Sequence, residues 1–161
     1  MASPAAIGGG ILGVGVIGVG TAYAAGAFTS KYVNFQDYVD RNGLVYVGGI
    51  SDEKSNSIKK LLDEDRTGSS NGYRSKLSGK WSSMNQSDLT GNQPEKPAGE
   101  PAELFKSSNT ELAKSTEIAK FTKAWCETKK KNKAPAAVGK WTEDTLKKDS
   151  DWQTFEKVCL V

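Results

Sequence analysis

Cys126 and Cys159 are the side chains of this sequence with the widest choice of chemistry. They could hold a metal, act as nucleophiles or pair with each other. A metal site needs about four thiolate or imidazole ligands, and the chain has two cysteines and no histidine. A nucleophilic thiol needs a base to take its proton, and no histidine is there to serve. The missing histidine removes the commonest general base from any other reaction as well. Asp63, Glu64 and Asp65 could do acid–base work, but three acids at a helix end are ordinarily solvated. Gly13-Val14-Gly15-Val16-Ile17-Gly18 fits the G-x-G-x-x-G dinucleotide fingerprint, with Asp37 about twenty residues on. The residues before it, Ile7 to Leu12, include three consecutive glycines and make a poor buried strand. No further strand–helix–strand pattern follows. The sequence therefore reads as non-enzymatic, with no cofactor and no metal.

Lys129, Lys130, Lys131 and Lys133 put four cations into five positions. Such a run can meet phosphate or anionic lipid. Its plainer reading is a solvated helix C-terminus, where cations suit the macrodipole. No aromatic-rich basic patch accompanies the run, so nucleic acid is not an expected partner. The remaining charge is balanced: the whole chain of 161 residues carries a net charge of +3.

The elements that must position these residues are mainly helical. From Lys31 to Val161, 23 of 131 residues are Leu, Ile, Val or Phe. That is below the roughly 20% at which apolar burial begins to fall short of ordering entropy. The expectation is a small, loosely packed helical domain with long loops. Residues 31–81 form a small mixed or helical segment, in which Asn42-Gly43 between apolar runs signals a hairpin and a short helix is an equal contender. Within 52–66, Ile58, Leu61 and Leu62 share a helical face. Tyr73, Leu77 and Trp81 recur every four residues. Residues 82–101, with three prolines and almost nothing apolar, read as a linker or mobile loop. Residues 102–161 carry the clearest helices and are expected to pack against 31–81. Ser108-x-x-Glu111 is a capping box, and Ile118, Phe121 and Trp125 follow on one face. The lysine run fades that helix, and Pro135 blocks its continuation. Trp141 opens a short helical stretch. Ser150-x-x-Gln153 caps a last helix bearing Trp152, Phe155, Val158 and Cys159. Each cysteine thus sits on a Trp-bearing apolar face. The sulfurs can meet as a disulfide closing a loop of about 33 residues, which would stabilise by about 3–4 kcal/mol. Two buried thiols acting as small hydrophobes are the alternative.

The first thirty residues contain no charged side chain. From Ala5 to Phe28 they are apolar or small almost throughout, and as a helix would span about 36 Å, enough to cross a bilayer core of about 30 Å. Residues 1–30 are therefore read as a Gly/Ala-rich transmembrane anchor. Eight strong apolar residues contribute about −2 to −5 kcal/mol of insertion. Ala5, Gly9 and Gly13 lie four apart on one face, as do Gly18, Ala22 and Gly26. Small-xxx-small stripes allow close helix pairing in lipid, so these six residues form a candidate pairing face for a homo-oligomer. The plainer reading is that the small residues are merely tolerated. Ala22-Tyr23-Ala24 offers a signal-peptide cleavage site, but no Lys or Arg precedes the apolar core. Lys31 and Arg41, both after the anchor, draw the domain to the cytoplasm under the positive-inside rule; paired cysteines would draw it outward.

These features together resemble the large paralogous families of membrane-anchored proteins of haemotropic mycoplasmas. The matching residues are the anchor 5–28, Leu61-Leu62-Asp63, Trp125-Cys126, Trp141, Trp152 and Cys159. The resemblance implies a single-pass protein of the cell membrane, its domain displayed outside, with host surfaces or antibodies as partners besides membrane lipid. It supplies no catalytic residue. Two further readings stay open: a structural membrane protein that self-associates through its glycine-rich helix, and a binding domain tethered to the cytoplasmic face.

Overall fold

Asn34, Ser57, Thr142 and Asp149 start four of the helices of this chain, each by accepting a hydrogen bond from a backbone N–H in the first turn. Such caps satisfy donors that the helix itself cannot, worth about 1 kcal/mol each. The computed structural model describes residues 30–65, 71–106 and 112–161. Among them are seven α-helices: α1 (Phe35–Arg41), α2 (Ile58–Glu64), α3 (Tyr73–Lys80), α4 (Pro101–Leu104), α5 (Ser115–Lys129), α6 (Glu143–Lys148) and α7 (Ser150–Cys159). Two short strands, β1 (Lys31–Tyr32) and β2 (Trp141–Thr142), pair antiparallel, Lys31 opposite Thr142 and Tyr32 opposite Trp141. Isolated bridges join Asn34 to Lys133 and Tyr46 to Leu160. The fold is mainly α, as expected.

The helical faces read from spacing are the buried ones. Ile118, Phe121 and Trp125 of α5, and Trp152, Phe155, Val158 and Cys159 of α7, are fully buried. Tyr73, Leu77 and Trp81 are buried too, with Trp81 opening a 3₁₀ turn beyond α3. The shortage of aliphatic residues is offset by other side chains. All four tryptophans, Tyr32, Tyr38, Tyr73 and Met84 lie in one core shared with the aliphatic residues. A tryptophan buries up to about 250 Å², so a count of Leu, Ile, Val and Phe understates this core.

Several local expectations are corrected. Asn42-Gly43 makes no hairpin: Asn42 closes α1 and Gly43 follows at φ 64, a left-handed helix stop that a glycine enters without strain. The helix expected over 52–66 begins only at Ile58, because Ser57 caps it. The last helix is capped by Asp149, not Ser150: the Asp149 carboxylate accepts the Trp152 N–H at 2.9 Å. Residues 82–101, read as a linker, carry buried Met84 and Leu89 and a second 3₁₀ turn, Gln86–Asp88. The Ser108/Glu111 capping box lies outside the described residues, and α5 itself begins at Ser115. The anchor and the pairing face of Ala5, Gly9, Gly13, Gly18, Ala22 and Gly26 lie outside the described residues as well. Among the described residues no helix is long and apolar enough to cross a membrane.

Candidate functional site

The last turns of α5 gather most of the chemistry-bearing side chains. Its apolar face must point inward, so Trp125 and Cys126 are drawn into the core while Glu127, Lys129 and Lys130 stand at its margin. Cys126 and Cys159 are joined as a disulfide between α5 and α7, with Cα atoms 5.8 Å apart. Both cysteines are fully buried. Gly48 covers this bridge so closely that a Cβ at that position would lie 2.8 Å from the Cβ of Cys126 and inside the Tyr46 phenol.

Beside the bridge, the Tyr46 hydroxyl donates to Glu127 at 2.7 Å, and Lys130 pairs with the same carboxylate at 2.6 Å. The Lys130 ammonium also stands 5.3 Å from the centre of the Tyr46 ring, a cation–π distance. Burial works to raise the Glu127 carboxyl, but the hydrogen bonds from Lys130 and Tyr46 outweigh it and hold the group below the usual carboxylate range. Burial, followed by the bond to Glu127, pushes the Tyr46 phenol well up.

Lys129 does not behave as a solvated helix end. It is 7% exposed. Its ammonium pairs with Asp88 at 2.9 Å and Asp151 at 2.7 Å, and sits 5.4 Å from the Trp125 ring centre. The Trp125 indole N–H donates to Asp88 at 2.8 Å, and Asn132 donates to Asp151 at 3.0 Å. Burial opposes the charge on Lys129, but its two carboxylate partners prevail and raise it above the ordinary lysine range. Asp88 is the converse: burial raises it, and the bonds from Lys129 and Trp125 bring it below its ordinary value. The cluster ties three segments distant in sequence, the 3₁₀ turn of 82–101, α5 and α7. Nearby, the Lys96 ammonium donates to the Trp81 carbonyl at 2.7 Å and caps that ring.

The remaining candidates are structural. Asp63 pairs with Lys59 at 2.6 Å, and Asp65 accepts the Arg74 backbone N–H at 2.9 Å. Asp37 accepts from Val33 N–H at 2.8 Å and pairs with Arg41 at 3.7 Å, while Gly13–Gly18 lies outside the described residues. Asp88, Tyr46, Gly48 and Asp151 are the residues that sequence reasoning missed. A weak signal existed for the first: Trp125 and Lys129, one helical turn apart, present a donor and a cation that call for an acid partner. An open groove of about 290 Å³ is lined by Glu95, Lys96, Pro97, Ala98, Lys114 and Glu117. The Lys114 ammonium in it is bonded to the Ala98 carbonyl at 3.0 Å. Compared with known proteins, the chain matches no family model, no curated sequence and no solved structure.

Proposed function

We propose that this chain is a membrane-anchored, disulfide-stapled helical domain displayed outside the cytoplasm, where it works by contact with other macromolecules. The observation that carries the reading is the buried Cys126–Cys159 bridge, because such bridges persist in oxidising compartments and are rare where thiols are kept reduced. The uncharged first thirty residues supply the anchor in this reading. The resemblance to membrane-anchored families of haemotropic mycoplasmas points the same way and names host surfaces or antibodies as partners. Protease treatment of intact cells tests the side of the membrane. The domain is expected to be cleaved from the surface while the chain resists alkaline carbonate extraction. A domain protected in intact cells, with both thiols free to alkylation, sinks the reading.

A second reading rests on the stripes at Ala5, Gly9, Gly13 and Gly18, Ala22, Gly26. In it the anchor pairs with a second copy of itself. Replacing Gly18 and Gly26 with Leu is expected to weaken dimers in a bilayer reporter while insertion persists; unchanged dimers discard it.

A further inference from the structure

We infer that the face of the domain around Lys31 docks on the anionic lipid headgroups of the membrane that holds the anchor, through the exposed lysines Lys31, Lys131, Lys133 and Lys140. The inference rests on the anchor reading above and adds to it a lipid-binding face.

The structure sorts the lysine run into two kinds. Lys129 and Lys130 are taken by Asp88, Asp151 and Glu127. Lys131 and Lys133 are exposed and form no ion pair among the described residues, and the same holds for Lys31 and Lys140. Backbone pairing then collects these four. β1 pairs Lys31 with Thr142 and Tyr32 with Trp141, the residue after Lys140. Asn34 bridges Lys133, and the Gln36 N–H donates to the Lys130 carbonyl at 3.0 Å. Segments 130–133 and 140–142 therefore run beside residues 31–36, and their exposed cations surround the start of the domain.

The acids on the same elements are largely engaged. Asp37 serves Arg41 and Val33, Asp40 accepts from Gln36, Glu127 serves Lys130, Glu143 serves Lys147 and Asp151 serves Lys129 and Asn132. Asp40, whose partner Gln36 is neutral, Asp144, with Lys148 one turn further along, and Glu156 on α7 form no ion pair among the described residues. The face keeps an excess of unpaired positive charge.

Chain continuity decides what meets that charge. The apolar stretch ends at Phe28, and Lys31 is the third residue after it. Three residues span at most about 10 Å, close to the Debye length of about 8 Å at physiological ionic strength. In the anchor reading this short connection tethers the start of the domain to a lipid surface, and headgroups are therefore the expected occupant of the face. On a leaflet that carries anionic lipid, each lysine shifts the docked-to-free ratio about fivefold, and three together about 100-fold.

The full chain, reconstituted in vesicles of phosphatidylcholine alone or mixed with phosphatidylglycerol, provides the test, with lysine acylation by a water-soluble ester read by mass spectrometry. Lys131, Lys133 and Lys140 are expected to react at least about tenfold more slowly in the anionic vesicles. Lys60 and Lys76, exposed on α2 and α3, keep their rates. High salt erases the protection. The variant Lys133→Glu/Lys140→Glu removes the lipid dependence of Lys131 labelling, which no short link to the apolar stretch can produce. Equal rates in both vesicles, or equal slowing of every lysine, overturn the inference while the anchor stands. A chain that carbonate strips from the vesicles overturns the anchor reading and this inference with it.

Discussion

Phe35, Trp141, Trp152 and Phe155 fill one part of the core chiefly by ring packing, with one hydrogen bond from the Trp141 indole N–H to the Asn132 carbonyl at 3.2 Å, whereas Asp88, Lys129 and Asp151 tie a second part together through charge. In the first cluster the Phe35 ring lies 5.2 Å from Trp152, 5.5 Å from Phe155 and 5.8 Å from Trp141, and Tyr38 meets Trp152 edge-on at 4.9 Å. The Trp152 indole N–H is buried and has no hydrogen-bond partner among the described residues. In the second cluster both Asp88 oxygens and Asp151 Oδ2 are bonded to partners. Area holds the first cluster, and area is indifferent to pH. The second depends on all its members being present and ionised, because removing one leaves another partly buried and unpaired.

The sharpest way to break the comparison is to take area from the first cluster. Trp152→Ala is expected to cost about 3–5 kcal/mol, the range for deleting a buried aromatic, read as a lowered urea midpoint. Next comes the staple: Cys126→Ser with Cys159→Ser removes a bridge of sequence separation 33 and is expected to lose about 3–4 kcal/mol in the chain-entropy model. The charged cluster should yield less. Lys129→Ala is expected to cost about 1–3 kcal/mol, discounted because the Asp151 side chain is 39% exposed and water can attend it.

Acidity separates the clusters more cleanly than any single midpoint. Asp88 is held below its ordinary value of 3.8, chiefly against burial by its bonds to Lys129 and Trp125. Its contribution is thus full above that ordinary value and is lost as pH falls through the lower folded one. Lys129 is raised above 10.5, so its contribution is full below that value and is lost as pH climbs through the raised one. Urea midpoints measured across the acid range should keep their wild-type pH slope in Trp152→Ala. In Lys129→Met the slope should flatten. A Trp152→Ala slope that flattens equally would show the two clusters to be one.

The smallest expected effect lies in the same lysine run. Lys131→Ala or Lys133→Ala should change stability by less than about 0.5 kcal/mol, because neither side chain enters an ion pair among the described residues. A loss comparable to that of Lys129→Ala would mean that the run is structural throughout.

Much of the helical architecture was legible in the sequence. Ile118, Phe121 and Trp125, and likewise Trp152, Phe155 and Cys159, recur at helical spacing, and a helix must bury such a stripe. Pro135 and the lysines marked where α5 stops for local backbone reasons. Turn and cap assignments fared less well. Asn-Gly has the same left-handed preference in a hairpin and at a helix end, so only the neighbours of Asn42-Gly43 could choose between them. Asp149 and Ser150 are both good caps one residue apart, and the sequence contains no rule to rank them.

The uncharged first thirty residues, the absence of histidine and the placement of both cysteines on apolar faces belong to the sequence itself. They follow from residue type and local period. Lys130 finds Glu127 one turn back on its own helix, but the fates of Lys129 and Lys131 were decided by tertiary structure. Lys129 and Lys131 are chemically identical and two positions apart, yet one is enclosed by Asp88 and Asp151 and the other faces solvent. The difference lies in partners brought from 41 and 22 residues away. Charges in water are largely screened from one another beyond about 8 Å, so ion pairing depends on distances that only the packed chain sets. The covering of the disulfide by Gly48 has the same origin, since a glycine 78 positions before Cys126 gives no sign of it in the sequence.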